Sequence, residues 1–308
     1  MKMLSSPPEL GAGGAIYRTD EMITMTRRVM FSAGKVDCPP LAANNISSST
    51  SDAVAQPEPY GHNYVLDVTV TGEINPMTGI VVNIKEIDRI VRERVIDRFD
   101  RKSISHQAPE FRGRPITPES LALWIAHTLR DRLPEDVILA AVRLEETPLL
   151  AAEWTVIQPT TMENYKPSNA GAMRLTRTYE FAASHRLHSV HLSDEENREL
   201  FGKCNYPNGH GHNYVLEITV EGPIDPRSAR VICPNLLDEI VNREIVDRYD
   251  HRHFNYDIPE FKDLVPSTEV VTKIIWERLV TEIPTPARLA SVLIRETARN
   301  IFEYRGEA

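Results

Sequence analysis

His210 and His212 are separated by a single glycine, and the chain runs on as Asn213-Tyr214-Val215-Leu216. In an extended strand residues i and i+2 point to the same face, so the two imidazoles are aimed together. His185 ends the run Phe181-Ala182-Ala183-Ser184-His185, and an antiparallel neighbour would bring it alongside. Three neutral imidazoles without a fourth protein ligand describe a catalytic zinc site, which keeps one position open for water or substrate. A lone His-x-His is more often a satisfied surface or core pair; the third histidine moves the balance toward a metal.

Cys204 precedes His210 in the loop Gly202-Lys203-Cys204-Asn205-Tyr206-Pro207-Asn208-Gly209. Most free cysteines are small buried hydrophobes, but a loop of this composition is a poor place to bury one. Beside a metal and Lys203 its thiolate could act as a general base. Asp250-His251 supports two readings, a cation with its capping partner at a helix end or a carboxylate-supported imidazole that moves a proton. Glu296, in Ile294-Arg295-Glu296-Thr297, is either solvent-facing or Arg-paired, or accepts two hydrogen bonds from a 2-amino-pyrimidinone edge. Cys233, between Ile232 and Pro234, is expected in the core, and His188, His191 and His253 are expected in solvent.

The elements that must hold these residues are written twice. A slide of 150 positions lays Gly61-His62-Asn63-Tyr64-Val65-Leu66 on Gly211-His212-Asn213-Tyr214-Val215-Leu216, and Pro109-Glu110-Phe111 on Pro259-Glu260-Phe261. Register kept over more than a hundred residues is a domain duplication. The same slide lays His185 on Lys35, His210 on Tyr60, Cys204 on Val54 and His251 on Arg101, while Asp250 falls on Asp100 and Glu296 on Glu146. The first copy has lost the chemistry that the second retains.

Each copy is expected to run strand, strand, helix, helix, strand, strand. Tyr64, Leu66, Val68 and Val70 alternate on one strand face; Ile84, Ile87, Ile90-Val91 and Val95 recur at helical spacing. Thr117-Pro118-Glu119 and Ser267-Thr268-Glu269 place a hydroxyl N-cap before a second helix. The fold class is therefore α+β: two tandem domains, each an antiparallel four-stranded sheet with two helices on one face. The expected divisions are a loose tail over 1–24, a first domain over 25–157, a linker over 158–172 and a second domain over 173–308. A Ser- and Asn-rich stretch over 36–59 is expected as a mobile loop. Open sheet edges must be paired or covered, so self-association is expected.

A net charge of −9 argues against a nucleic-acid scaffold, although a basic pocket can sit inside an acidic protein. Three cysteines, an odd and sparse set, provide no disulfide framework and suit a reducing cytosol. No apolar run reaches the roughly 18 residues of a membrane span, so the expected location is cytoplasmic.

These residues make the second copy resemble the 6-pyruvoyltetrahydropterin synthase family over essentially 174–307. The resemblance rests on Phe181 to His188, on Leu192-Ser193-Asp194-Glu195-Glu196, and on the specific Cys-x3-Pro-x2-His-Gly-His segment from Cys204 to His212. Asp250-His251, Ser267-Thr268-Glu269 and Glu296-Thr297 follow in family order, and the first copy resembles the family only in scaffold. The resemblance implies the tunnelling fold (T-fold), in which three subunits form a barrel and two trimers stack, so that three two-unit chains would supply six units. It implies zinc on His185, His210 and His212, Cys204 as base, Asp250 and His251 as proton partners, and Glu296 holding the pterin. The implied substrate is 7,8-dihydroneopterin triphosphate, with triphosphate eliminated. Two other readings stay open: the related 6-carboxytetrahydropterin synthases of queuosine biosynthesis, which also release acetaldehyde, and a zinc-binding fusion without turnover.

Overall fold

The computed structural model describes residues 22–35, 60–156 and 171–306. Residues 1–21 of the expected tail over 1–24, the loop over 36–59 with Cys38 and Val54, and residues 158–170 of the expected linker over 158–172 lie outside the described residues.

The first unit opens with β1 (Met22–Lys35) antiparallel to β2 (Tyr60–Glu73). Helix α1 (Ile84–Val91) starts where the Asn83 side chain accepts from the Lys85 amide, and it continues through a π-helical turn, Arg92–Ile96, to Phe99. Most of the apolar stripe read from the sequence is buried, with Ile87, Ile90, Val91 and Val95 each at most 2% exposed, but Ile84 at the helix start is 48% exposed. A two-residue strand, β3 (Lys102–Ser103), returns beside β1. Helix α2 (Pro118–Arg130) is capped by Thr117, and the hairpin of β4 (Ile138–Thr147) and β5 (Leu150–Val156) closes the unit.

The second unit repeats this plan with β6 (Gly171–His185) and β7 (His210–Gly222), and helix α3 (Asp194–Phe201) lies between them. Its Ser193–Glu196 capping box was present in the sequence, but the stretch has too little apolar content to show a period. Then come α4 (Pro234–Val241) with its own π turn, β8 (Arg252–His253), α5 (Thr268–Leu279), β9 (Arg288–Arg295) and β10 (Ile301–Tyr304).

The two expected sheets are one. Strand order is β10-β9-β7-β6-β5-β4-β2-β1-β3, with β8 on β6, because β5 of the first unit pairs antiparallel with β6 of the second. For this reason Gly171 and Ala172 pair with Val156 and Thr155 instead of belonging to the linker; separately, the β1–β2 ladder pairs residues 22–24 with 71–73, so these do not belong to the tail. The junction is core, with Trp154, Met173 and Leu175 at most 4% exposed. It is pinned beyond the sheet where Thr117 Oγ1–H donates to the Ala229 carbonyl (2.6 Å) and the Val231 amide donates to Glu119 (3.3 Å).

One sheet face carries Tyr214, Leu216, Ile218 and Val220, all fully buried beneath the helices. The other face is polar and laced by cross-strand pairs such as Arg28–Asp67, Thr26–Thr69 and Thr176–Thr219. Among the described residues no helix is long and apolar enough to cross a membrane.

Candidate metal and active site

The β6–β7 ladder places the histidines. His185 lies opposite His210 and Ala183 opposite His212, so cross-strand pairing and the i, i+2 rule put all three imidazoles on one face at the end of the core. One ring nitrogen from each falls within 4.8 Å of the others, and His185 Nε2 is 3.2 Å from His210 Nε2. Tetrahedral zinc with bonds of about 2.0–2.1 Å to nitrogen would set its ligands roughly 3.3 Å apart.

Tautomer and protonation suit a cation. His185 Nδ1–H donates to the Pro266 carbonyl at 2.8 Å, which leaves the Nε2 lone pair facing its neighbours. Burial pushes the His185 imidazole down to about 4, with the two neighbouring histidines adding to the effect. Burial also lowers His212. His212 Nε2 and His210 Nδ1 are buried without a hydrogen-bond partner among the described residues. An orphaned imidazole nitrogen aimed at two others is costly unless something binds there. These residues fit a divalent metal.

Glu296 belongs to this cluster and is neither solvent-facing nor Arg-paired; its neighbour Arg295 instead bonds Glu217. Its Oε1 lies 3.8 Å from His212 Nε2 and 4.0 Å from His185 Nε2. Thr268 Oγ1–H donates to the same oxygen, and Asn300 Nδ2–H donates to Oε2 at 2.9 Å. Burial pushes this carboxyl up, but these two donors and the histidines outweigh it, so the net shift is downward. In the sequence Thr268 stood only in a helix start and a family motif, not as a partner of Glu296, and Asn300 was not singled out. The repeat carried the signal, because the first copy has Pro118 and Leu150 at those positions.

Asp250 turns out to serve two purposes. Oδ1 accepts from the Ala182 amide at 2.8 Å, and Oδ2 accepts from His251 Nδ1 at 2.8 Å. The first contact has its counterpart in Asp100, which accepts from the Ser32 amide at 3.0 Å, so this aspartate clamps a backbone corner in both copies. At that corner His251 adopts φ +57° and Arg101 φ +58°, left-handed conformations that non-glycine residues adopt only when held. His251 and His212 both line an open cavity of about 560 Å³.

Cys204 sits apart from both groups. It lies in the short 3-10 turn Gly202–Asn205, half-buried, outside the metal-ligand cluster, and its side chain has no hydrogen-bond partner among the described residues. Its carbonyl accepts from the Leu187 amide at 2.9 Å, and Arg186 Nε–H donates to the Asn205 carbonyl at 3.1 Å, so its turn is tied directly downstream of His185. Arg186, Arg198 and Lys203 line a neighbouring cavity of about 530 Å³.

Two expectations need correction. Cys233 is exposed, because the chain turns into α4 there and only Val231 and Ile232 face the core. His253 is partly buried, stacks on Tyr256 with ring centroids 4.3 Å apart, and has both ring nitrogens shielded beneath Gly209. His191 is exposed as expected, while His188 bonds Asn205 at 3.1 Å.

In the first copy the equivalent site is filled. Lys35 Nζ, at the His185 position, donates to Glu146, and His62 Nε2 lies 3.3 Å from the same carboxylate. Lys35 and Glu146 are only 6% exposed.

Comparison with known proteins gives one family. The sequence model of one family, 6-pyruvoyl tetrahydropterin synthase, matches residues 47–156 and again 174–307. The chain is 46% identical over 132 residues to the 6-pyruvoyl tetrahydrobiopterin synthase of Drosophila melanogaster, covering 43% of this chain and 79% of that protein. It is 45% identical over 134 residues to the Homo sapiens protein of the same name, covering 44% and 92%. The solved Caenorhabditis elegans 6-pyruvoyl tetrahydropterin synthase is 41% identical, covers 44% of this chain and 96% of its own, and superposes with a TM-score of 0.43.

Proposed function

The chain belongs to the 6-pyruvoyl tetrahydropterin synthase family as a tandem duplication of its T-fold unit, and from that premise we propose that its second unit is a zinc-dependent lyase. It converts 7,8-dihydroneopterin triphosphate to 6-pyruvoyltetrahydropterin with elimination of triphosphate, in the cytoplasm. The active unit includes the whole of β6 from Gly171, and the degenerate unit includes β1 from Met22 to the end of β5 at Val156. The observation that carries the proposal is the convergence of His185, His210, His212 and Glu296 in the one copy that has all three histidines.

Zinc on the three histidines would supply Lewis-acid polarisation of the substrate's side-chain hydroxyls, which acidifies the adjacent C–H. The protein's own residues do the rest. Cys204, as thiolate, takes that proton. His251, oriented through Nδ1 by Asp250, returns one to the rearranged side chain. Glu296 has its two oxygens oriented by Thr268 and Asn300, and it keeps further lone pairs for the donors on the pterin's amino-pyrimidinone edge.

The test is product identification by mass spectrometry after incubation with dihydroneopterin triphosphate, beside a Cys204→Ala variant. A 6-pyruvoyl product that disappears in the variant supports the proposal. Acetaldehyde with a 6-carboxy product would assign the chain to the queuosine branch instead. Absence of triphosphate release from the wild type would leave a zinc-binding fusion without turnover.

A further inference from the structure

Residues 250–255 grip the β6 strand twice, once on each side of the candidate metal ligand His185. The first grip is at Ala182, whose amide donates to Asp250 Oδ1 at 2.8 Å and whose carbonyl accepts from the His251 amide at 2.6 Å. The second is at Arg186, one residue past His185. Its amide donates to Asn255 Oδ1 at 2.8 Å, and Asn255 Nδ2–H donates back to its carbonyl at 3.0 Å. A side-chain amide carries an acceptor and a donor together, so Asn255 engages both backbone groups of one residue as a neighbouring strand would. The residue before it is the anchor. Phe254 is fully buried, and its ring centroid lies 6.4 Å from that of His185.

The second grip is carried on to the thiol. Arg186 Nε–H is shared between the carbonyl and the side-chain Oδ1 of Asn205, each at 3.1 Å. The next residue, Leu187, donates its amide to the Cys204 carbonyl at 2.9 Å. His188 Nδ1 lies 3.1 Å from the same Asn205 Oδ1, and Asn205 is only 7% exposed. The turn Gly202–Asn205 is therefore fastened to the three residues that leave directly from His185. Among the described residues no hydrogen bond holds the Cys204 side chain itself, so its backbone sets its place.

The duplication separates the two grips. A shift of 150 positions keeps the first: Asp100 and the Arg101 amide bind Ser32 as Asp250 and His251 bind Ala182. The second is not kept, because Asn255, Arg186 and Asn205 fall on Ser105, Val36 and Ala55. These three are missing from the same copy in which Cys204 falls on Val54. The grip shared by both copies serves the fold; the one confined to the second unit goes with the thiol.

We propose that Asn255 is a positioning residue: through Arg186 and Asn205 it holds the Cys204 turn in a fixed place beside the histidine cluster. It ties the corner that bears His251 to the turn that bears Cys204, with His185 between them. That Cys204 acts there as a base rests on the synthase reading above; the clamp does not. Misplacing a reacting group by about 1 Å costs up to roughly 100-fold in rate. Glu296 is held separately, by Thr268 and Asn300, so the clamp governs turnover and not affinity.

The first variant is Asn255→Ser, which introduces the side chain found in the first copy, in a Cys38→Ser background that leaves two thiols. Zinc-loaded protein is alkylated with limiting iodoacetamide, and peptide mass spectrometry compares half-buried Cys204 with exposed Cys233. Release of the turn should raise the ratio of Cys204 to Cys233 labelling about tenfold, with zinc content unchanged. An unchanged ratio, or a rise that comes only with loss of zinc, overturns the clamp. With dihydroneopterin triphosphate, Asn255→Ser should lower kcat by roughly 10–100-fold and leave KM nearly unchanged. Asn255→Asp keeps the acceptor for the Arg186 amide and should recover most of that loss. A rise in KM that matches the fall in kcat, or no recovery in Asn255→Asp, overturns the positioning role. If the labelling ratio rises but the wild type shows no turnover, the synthase reading fails and the clamp stands.

Discussion

Lys35 and Glu146 form an ion pair in the core of the first unit, where the second unit sets His185 beside Glu296. The lysine ammonium takes over the compensation of a buried carboxylate that the second copy assigns to Thr268, Asn300 and the histidine cluster. Loss of the metal ligands therefore did not leave Glu146 stranded; the substitution at 35 supplied an internal cation. The first copy is closed as well as degenerate.

Replacing Lys35 by Met should be among the most damaging single changes in the first unit. It leaves a carboxylate only 6% exposed without its cation, a loss of about 3–5 kcal/mol when one partner of a buried pair is removed. Lys35→Met/Glu146→Gln should recover most of that loss. Urea unfolding of the two variants decides it, and equal destabilisation by both would refute the account.

Metal content should be one ion per chain. His185→Ala should bring it close to zero, while His62→Ala in the first copy should leave it unchanged, as read by elemental analysis of dialysed protein. Two ions per chain would show that the Lys35–Glu146 site is not closed.

Thr268→Val removes the hydroxyl that donates to Glu296 Oε1. A hydrogen bond to a charged group contributes about 1.5–3 kcal/mol, and losing a donor to the ionised form raises the carboxyl pKa. Turnover should fall, and the acidic limb of its pH profile should move to higher pH. A reduced rate with an unmoved limb would give Thr268 a packing role only.

Stability of the metal-free protein should depend on pH through His185. Its folded value is about 4 against an ordinary 6.5, so between these the unfolded chain binds more protons than the native one. The contribution is fully present above about pH 6.5 and is lost as pH falls toward 4, up to about 3 kcal/mol in all. Denaturant midpoints across this window should slope in wild type and flatten in His185→Phe.

The ligand set and the strands that carry it were legible in the sequence because both follow from local rules. The alternation at Tyr214, Leu216 and Ile218 marks a half-buried strand, and the spacing of His210 and His212 selects one face of it. Helix α3 was less legible, since its capping box stands without an apolar period, and Cys233 was misplaced because the two residues before it face the core while it does not.

By itself the sequence determined that the protein is a duplicated α+β unit with a carboxylate in both copies and with the three-histidine set, the thiol and the Asp-His pair complete in only one. Tertiary structure decided that the two sheets are continuous, that Glu296 faces the imidazoles, that Asp250 clamps a backbone corner, and that Lys35 occupies the lost metal site. The division has one physical cause. Periodicity records which way each side chain points from its own element, whereas edge pairing and buried charge compensation join residues such as Lys35 and Glu146, 111 positions apart.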